Sequence, residues 1–193
     1  MQGGPLALAL RVAALLDSLA IPHVLGGSLA SSVVGEPRST VDLDFAVRLR
    51  SEDVGRLLAA LASDYYVSEE AMRSAIARNG SFNIVELATV SKIDLFVLGS
   101  SRLDQRQLAR RRRVVVSESP RQELWVGSPE DQVLRKLDWY RAGGCVSDRQ
   151  WRDVVGILAV QAERLDRGDL AATSAELELS DLLERALREA GLA

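Results

Sequence analysis

The sequence predicts an α/β protein of the α+β kind, in which a mixed β-sheet flanked by helices is followed by a helical C-terminal part. Up to about residue 126, short apolar runs of strand length alternate with amphipathic helical segments. After Gly127-Ser128-Pro129-Glu130 the pattern becomes entirely helical, with Ser128 suited to an N-cap and Pro129 to the first helical position. We therefore expect a sheet-bearing domain at residues 1–127 and a helical subdomain packed on it at residues 128–193.

The elements of the first half follow from apolar spacing and turn residues. A core helix of residues 5–20 ends at Ile21-Pro22, and a brief helix follows the Gly26-Gly27-Ser28 turn. The other expected elements are a strand at 23–25, a strand carrying Asp42 and Asp44, a helix at 51–62, a strand at 65–67, a helix at 69–78, and a hairpin of strands 82–88 and 92–98.

The second half is expected to begin with a charged helix end. Residues 104–113 read DQRQLARRRR and are followed by a short strand at 114–116, and a last strand is expected at 124–126. The helical part then comprises a helix at 129–141, a helix capped by Ser147 and running to Ala162, and two amphipathic helices within 169–193.

Composition describes an ordinary globular protein with a sizeable core. The chain has 193 residues, of which 47% are hydrophobic and 26% charged, and its net charge is −3. A molecule with this charge does not attract nucleic acid as a whole, so such a contact would need a local basic patch. The single cysteine and single histidine exclude an intramolecular disulfide and a Cys/His zinc cluster.

Cellular location is expected to be the cytoplasm. One cysteine fits a reducing compartment, and the apolar first twenty residues carry Arg11 and Asp17 without a basic leader. They therefore suit neither a signal peptide nor a membrane span, and we expect no membrane partner.

The turn Gly26-Gly27-Ser28 has the residues that a phosphate-binding turn needs. A backbone that approaches phosphate oxygens closely cannot carry side chains at the point of contact. Ser28 would open the following helix, where free N–H groups and the helix dipole favour an anion. This end of the stretch therefore suits a triphosphate.

Three aspartates are the candidate metal ligands. Asp42 and Asp44 are two residues apart on a predicted strand, so their carboxylates share a face and lie roughly 6 to 7 Å apart along it, a spacing that two magnesium ions can share. Asp94 interrupts the apolar run Ile93-Asp94-Leu95-Phe96-Val97, where a buried charge is costly unless it is paired or binds a metal. The alternative is that Asp94 lies on the solvated face of an edge strand.

These motifs together resemble the DNA polymerase beta-like nucleotidyltransferase superfamily. The shared features are a Gly-Ser turn, a spacer of thirteen residues from Leu29 to Val41, and an Asp-hydrophobic-Asp pair on the next strand. The run from Arg38 through Thr40 to Phe45 is further similar to the AbiEii/AbiGii toxin-type branch, in which Arg-x-Thr precedes the carboxylates.

The resemblance continues into the helical part. Lys136 lies in a Pro-Glu-Asp-x-x-x-x-Lys-Leu pattern whose lysine reaches the nucleotide phosphates in that family, although by spacing alone Lys136 could be a solvated residue at the edge of an apolar stripe. The segment from Arg149 to Asp153 is similar to an Arg-x-x-Lys-Asp pattern, with Arg152 in place of the lysine and Gly156 where a second acidic residue often follows. The alternative is that Arg149 and Asp153 form a surface pair.

The resemblance implies a nucleotidyltransferase that uses a nucleoside triphosphate, with Mg²⁺ as the metal and Mn²⁺ as the alternative. It implies metal-binding and catalytic roles for the three aspartates, and nucleotide contacts for Gly26, Gly27, Ser28, Arg38, Thr40, Lys136 and Asp153. Such proteins include toxins of toxin–antitoxin systems that modify RNA, so an RNA or tRNA acceptor and a cognate antitoxin are expected partners.

Three alternatives stay open. The acceptor could be an antibiotic, the fold could serve as a nucleotide-binding or regulatory module without catalysis, or the Asp42/Asp44 pair could be structural in an unrelated α/β protein. The four arginines at 110–113 could bind the phosphates of a nucleic-acid acceptor, or simply form a solvated helix end before a strand.

Overall fold

The computed structural model describes residues 4–37 and 39–192. The chain forms two compact units, one of Met1–Leu29 with Thr40–Val126 and the other of Ala30–Ser39 with Gly127–Ala193. The domain division near residue 127 stays a prediction. The units differ from it in that Ala30–Ser39 groups with the C-terminal part of the chain.

The first unit is built on a seven-stranded mixed sheet, which confirms the predicted fold class. Its strands follow the order β3-β4-β5-β2-β1-β7-β6, and within it β2 pairs with β5, and β1 with β7, in parallel, while the other neighbours are antiparallel. The strands are β1 (His23–Leu25), β2 (Leu43–Val47), β3 (Tyr65–Val67), β4 (Ser81–Glu86), β5 (Ser91–Val97), β6 (Arg112–Glu118) and β7 (Arg121–Val126).

Helices account for most of the remaining described residues. Serine side chains cap four of them: Ser68, Ser101, Ser128 and Ser147 each accept a hydrogen bond from the backbone N–H three residues later. The helices are α1 (Pro5–Ser18), α2 (Gly27–Val34), α3 (Val54–Leu61), α4 (Glu69–Arg78), α5 (Arg102–Ala109), α6 (Pro129–Ala142), α7 (Asp148–Gln161), α8 (Arg167–Glu176) and α9 (Ser180–Glu189). Within residues 4–37 and 39–192, none of them is long and apolar enough to span a bilayer.

In the two central strands, β2 and β5, apolar buried side chains alternate with the aspartates. Leu43, Phe45, Ile93 and Leu95 of β2 and β5 are each at most 1% exposed. Burying side chains of this size is worth about 1.5–3 kcal/mol each. The two central strands are therefore held firmly, and so are the polar residues between their apolar ones.

A buried carboxylate closes the end of β4. Glu86 accepts hydrogen bonds from the Thr89 hydroxyl and from the Arg11 guanidinium of α1. The hydrogen bond from Thr89 makes the largest contribution to lowering the pKa of Glu86, and the bond from Arg11 adds to it, whereas burial of the carboxylate acts in the opposite direction. The contact ties the first helix to the strand hairpin.

The hairpin of β6 and β7 is longer than the sequence predicts. Short strands are expected at 114–116 and 124–126, whereas β6 begins at Arg112 and β7 at Arg121, joined by a turn with a cis Ser119–Pro120 peptide. Most of the extra residues are charged or polar, so they show no apolar strand pattern. Pairing between the two strands, rather than burial, extends them.

Candidate active site

The strand register places Asp44 directly opposite Asp94 on neighbouring parallel strands. Adjacent strands lie about 4.8 Å apart, so these two carboxylates leave the sheet side by side on one face. Asp42 departs from the prediction, because β2 begins at Leu43 and Asp42 therefore lies just before the strand. There its backbone N–H donates to the Thr40 hydroxyl at 3.2 Å.

Asp94 is less buried than the sequence suggests. Its side chain is 27% exposed, although the flanking Ile93 and Leu95 are buried. The burial cost that favours Asp94 as a metal ligand is therefore smaller than expected. The stronger argument is its pairing with Asp44, which sequence alone does not reveal.

Lys92 is a member of this cluster that the sequence reasoning missed. Its Nζ lies 2.9 Å from Asp94 Oδ2. The hydrogen bond and charge of Asp94, with smaller contributions from Asp44 and Asp42, raise the pKa of Lys92. The signal in the sequence is the Lys-x-Asp spacing, which puts both side chains on one face of a strand.

The glycine turn packs against Asp44. The Gly26 N–H donates to the Asp44 carbonyl at 2.8 Å, and Gly27 has a positive φ of 58°. A Cβ on Gly27 would lie 1.8 Å from Asp44 Oδ2, so the carboxylate occupies the space that a side chain would fill. Helix α2 begins at Gly27, one residue before the predicted Ser28, which is itself buried.

In the second unit, Lys136 and Asp153 form a buried ion pair. Lys136 Nζ lies 2.8 Å from Asp153 Oδ2, and the two side chains are 8% and 6% exposed. Lys136 is therefore not the solvated residue of the alternative, and Asp153 lies inside rather than at the surface. The partners are on α6 and α7, too far apart in the chain for helical spacing to reveal the pair.

A cavity of about 400 Å³ lies beside this pair in the second unit. Its walls include Asp153, Arg149, Arg152 and Glu36. Gly156 also lines it, and the position of a Cβ there would be 3.4 Å from Glu36 Cγ. Glu36 thus lies over the glycine that stands where the resemblance leads one to expect a second acidic residue.

The remaining predicted contacts are arginines: Arg38 and the run at residues 110–113. Arg38 lies outside the described residues. The arginine run does not form one helix end, since α5 ends at Ala109 and β6 begins at Arg112. The Arg111 and Arg113 guanidiniums instead lie 4.7 and 4.5 Å from the centre of the Trp125 ring.

Comparison with known proteins identifies the fold. No protein-family model and no curated protein matches the chain. Among solved structures, an antigenic nucleotidyltransferase-like protein from Paracoccidioides brasiliensis aligns over 96% of this chain and 92% of its own, with a TM-score of 0.55 and 20% identity. The fold is that of nucleotidyltransferase-like proteins.

An antibiotic-resistance factor and a lincosamide antibiotic adenylyltransferase share the nucleotidyltransferase-like fold. ANT(2'')-Ia in complex with adenylyl-2''-tobramycin aligns over 95% of both chains, with a TM-score of 0.53 and 16% identity. The lincomycin-bound lincosamide antibiotic adenylyltransferase LnuA covers 78% of this chain and 94% of its own, with a TM-score of 0.53 and 10% identity. At these identities the likeness concerns the fold.

The carboxylates of this nucleotidyltransferase-like fold have the chemistry that a hard divalent cation prefers. Asp44 and Asp94 offer oxygen ligands from adjacent strands, and Asp42 lies two residues before Asp44 in the chain. As the side chains stand, no three acidic, His or Cys residues in the described ranges converge tightly enough to hold a metal ion. Lys92 bonds to Oδ2 of Asp94 and would compete with a cation for this oxygen.

Proposed function

We propose that this chain is a metal-dependent nucleotidyltransferase, which moves a nucleoside monophosphate from a nucleoside triphosphate to an acceptor hydroxyl. The observation that carries the proposal is the pairing of Asp44 with Asp94 beside a glycine turn whose Gly27 makes room for the Asp44 carboxylate. The nucleotidyltransferase-like fold supports the same chemistry. Mg²⁺ is the proposed metal, with Mn²⁺ as an alternative, because all three ligands are carboxylates.

The aspartates would divide the work in this proposal. Asp42, Asp44 and Asp94 would hold the divalent cations, whose chemistry at such a site is to stabilise charge on the attacking and leaving oxygens. Asp94 would also orient the acceptor hydroxyl and accept its proton. Lys92, once released from Asp94, would remain beside the reacting groups as a positive charge.

The bonds balance as a single displacement. The acceptor oxygen forms a bond to the α-phosphorus while the bond from that phosphorus to the bridging oxygen of the β-phosphate breaks. The hydroxyl proton passes to Asp94, and the electron pair of the broken bond leaves with pyrophosphate. No oxidant or reductant is needed.

The triphosphate would be held by backbone and by cations. Gly26, Gly27 and Ser28 would present N–H groups at the start of α2 to the phosphates, with Thr40 and Arg38 as further proposed contacts. Lys136 would add a positive charge to the leaving pyrophosphate, and Asp153, its partner in a buried ion pair, would be a further nucleotide contact. We therefore propose that Lys136 and Asp153 act together in nucleotide binding.

The test is transfer of label from each α-labelled nucleoside triphosphate, with Mg²⁺, to total bacterial RNA or to a panel of hydroxyl-bearing antibiotics. Wild-type protein should transfer label, and the Asp42→Ala/Asp44→Ala and Asp94→Asn variants should not. Glu70→Gln removes an exposed carboxylate on α4 and serves as the matched control. Equal transfer by wild type and by the aspartate variants would refute the proposed site. Nucleotide binding without transfer would favour the binding module.

The acceptor is a separate proposal with two candidates. An antibiotic is favoured by the fold shared with ANT(2'')-Ia and the lincosamide adenylyltransferase. An RNA acceptor and a toxin role with a cognate antitoxin are favoured by the sequence resemblance to AbiEii/AbiGii-type proteins. Growth arrest on induced expression of the wild type, and not of Asp42→Ala/Asp44→Ala, would support the toxin role. Antibiotic resistance in expressing cells would support the other.

A further inference from the structure

A second polar cavity lies in the first unit, away from the carboxylates. It has a volume of about 560 Å³, and its lining includes Arg48 and Arg111 with Ser100 and Gln105. Arg48 follows the end of β2, four residues beyond Asp44, which is about 13 Å along a strand. The cavity is thus a feature distinct from the proposed active site.

Arg111 is fixed in position at the wall of this cavity. Its Nη1 donates to the His23 carbonyl at 3.1 Å, and its guanidinium lies 4.7 Å from the centre of the Trp125 ring. Burial, together with the charges of Arg113 and Arg48, lowers the pKa of Arg111, and only Asp17 opposes this effect. The guanidinium is held rigidly in surroundings that disfavour its charge.

The positive charge at this cavity is only partly offset by the surrounding protein, through Asp17. In the part of the chain that the structure describes, neither Arg48 nor Arg111 has a carboxylate within ion-pair distance. The nearby Asp17 is engaged by Arg113 at 3.3 Å. An anion between the two guanidiniums would therefore offset their mutual repulsion and stabilise the charged form of Arg111.

We propose that the cavity between Arg48 and Arg111 is a binding site for the phosphate group of a phosphate ester. The planar donors of two guanidiniums match phosphate oxygens in paired hydrogen bonds. The cavity is larger than a phosphate group, and Pro22, Leu108 and Ala109 give it an apolar wall for an organic part. Two sources carry this chemistry, the backbone of a nucleic acid and a free nucleoside phosphate.

The experiment uses full-length protein carrying Asp42→Ala/Asp44→Ala, so that its outcome does not depend on the proposed catalytic site. The probes are a labelled single-stranded oligoribonucleotide, followed by fluorescence anisotropy, and adenosine monophosphate, followed by calorimetry. Arg48→Gln is the main variant, because Arg48 has no ion pair among the described residues whose loss could unfold the chain. Arg112→Gln, which removes an exposed arginine outside the cavity, is the matched control.

Arg48→Gln should weaken binding about tenfold, as expected for loss of a charge-assisted hydrogen bond, while Arg112→Gln changes it less than about twofold. For the oligoribonucleotide, the slope of log affinity against log salt should fall by about 0.7 for each phosphate that the variant no longer binds. An effect on the oligoribonucleotide assigns the site to a nucleic-acid backbone, and an effect on adenosine monophosphate alone assigns it to a free nucleoside phosphate. The proposal is overturned if neither probe binds, or if Arg48→Gln and Arg111→Gln weaken binding no more than Arg112→Gln.

Discussion

Replacing Gly27 by alanine should break the proposed active site while leaving the sheet intact. The new Cβ would lie 1.8 Å from Asp44 Oδ2, 2.6 Å from Cγ and 3.0 Å from Cβ, so the whole side chain of Asp44 has to turn away. The positive φ of 58° adds a cost of about 1–2 kcal/mol for any residue with a Cβ. We expect a loss of about 2 kcal/mol in the free energy of unfolding and a loss of cation binding.

The assay combines urea unfolding with Mn²⁺ binding followed by electron paramagnetic resonance. Gly26→Ala is the matched control, since its Cβ would meet Asp44 only at 3.6 Å, an ordinary contact. It should change stability by less than about 0.5 kcal/mol, as expected for a substitution without strain or collision. If Gly27→Ala bound Mn²⁺ as tightly as wild type, the close packing of the turn against Asp44 would not govern the site, and the reasoning would be wrong.

Three further outcomes are expected. Lys92→Met should tighten Mn²⁺ binding about fivefold, because roughly 1 kcal/mol of repulsion between Lys92 and the cation is removed at an exposed site. Lys92→Arg keeps the charge and should leave the affinity for Mn²⁺ unchanged. Unchanged affinity in Lys92→Met would contradict the competition between Lys92 and the cation for Asp94. Glu86→Gln should lower the free energy of unfolding at pH 7. The pKa of Glu86 is lowered in the folded state, so its ionised carboxylate stabilises the fold at pH values above the ordinary pKa of a glutamate. That difference should shrink as the pH falls below about 4.5, the ordinary pKa of a glutamate, and should close only below the lowered pKa of Glu86 in the folded state; a pH-independent difference would count against it. Lys136→Met should cost about 3–5 kcal/mol by leaving Asp153 buried without its cation, and Lys136→Met/Asp153→Leu should recover much of it; urea unfolding measures both.

Local signals in the sequence located much of the fold. The strand His23–Leu25 and the capped starts of α6 and α7 are confirmed because their determinants, an apolar run and a serine N-cap, lie within a few residues of each other. The hairpin of β6 and β7 is predicted too short because an edge strand with one solvated face carries no continuous apolar run.

The sequence indicates the residues of the candidate site better than it indicates how their side chains pair. The motifs drew attention to Asp44 and Asp94, but their direct pairing depends on β2 and β5 becoming neighbours, which no local pattern encodes. The same holds for Lys136 and Asp153, whose pair joins two helices. Lys92 was missed because a lysine on a strand is ordinarily solvated, and only its neighbours give it significance.

The order of the strands ties the proposed reaction centre to the completion of folding. Asp44 and Asp94 stand side by side only after the chain has passed through α3, β3, α4 and β4 and returned to lay β5 along β2. Contacts that close such long loops form late, after local helices and hairpins. In a nascent or partly opened chain the proposed site would thus be incomplete and inactive. A partner that held the hairpin of β4 and β5 away from β2 would prevent the proposed reaction without contacting any of the three aspartates.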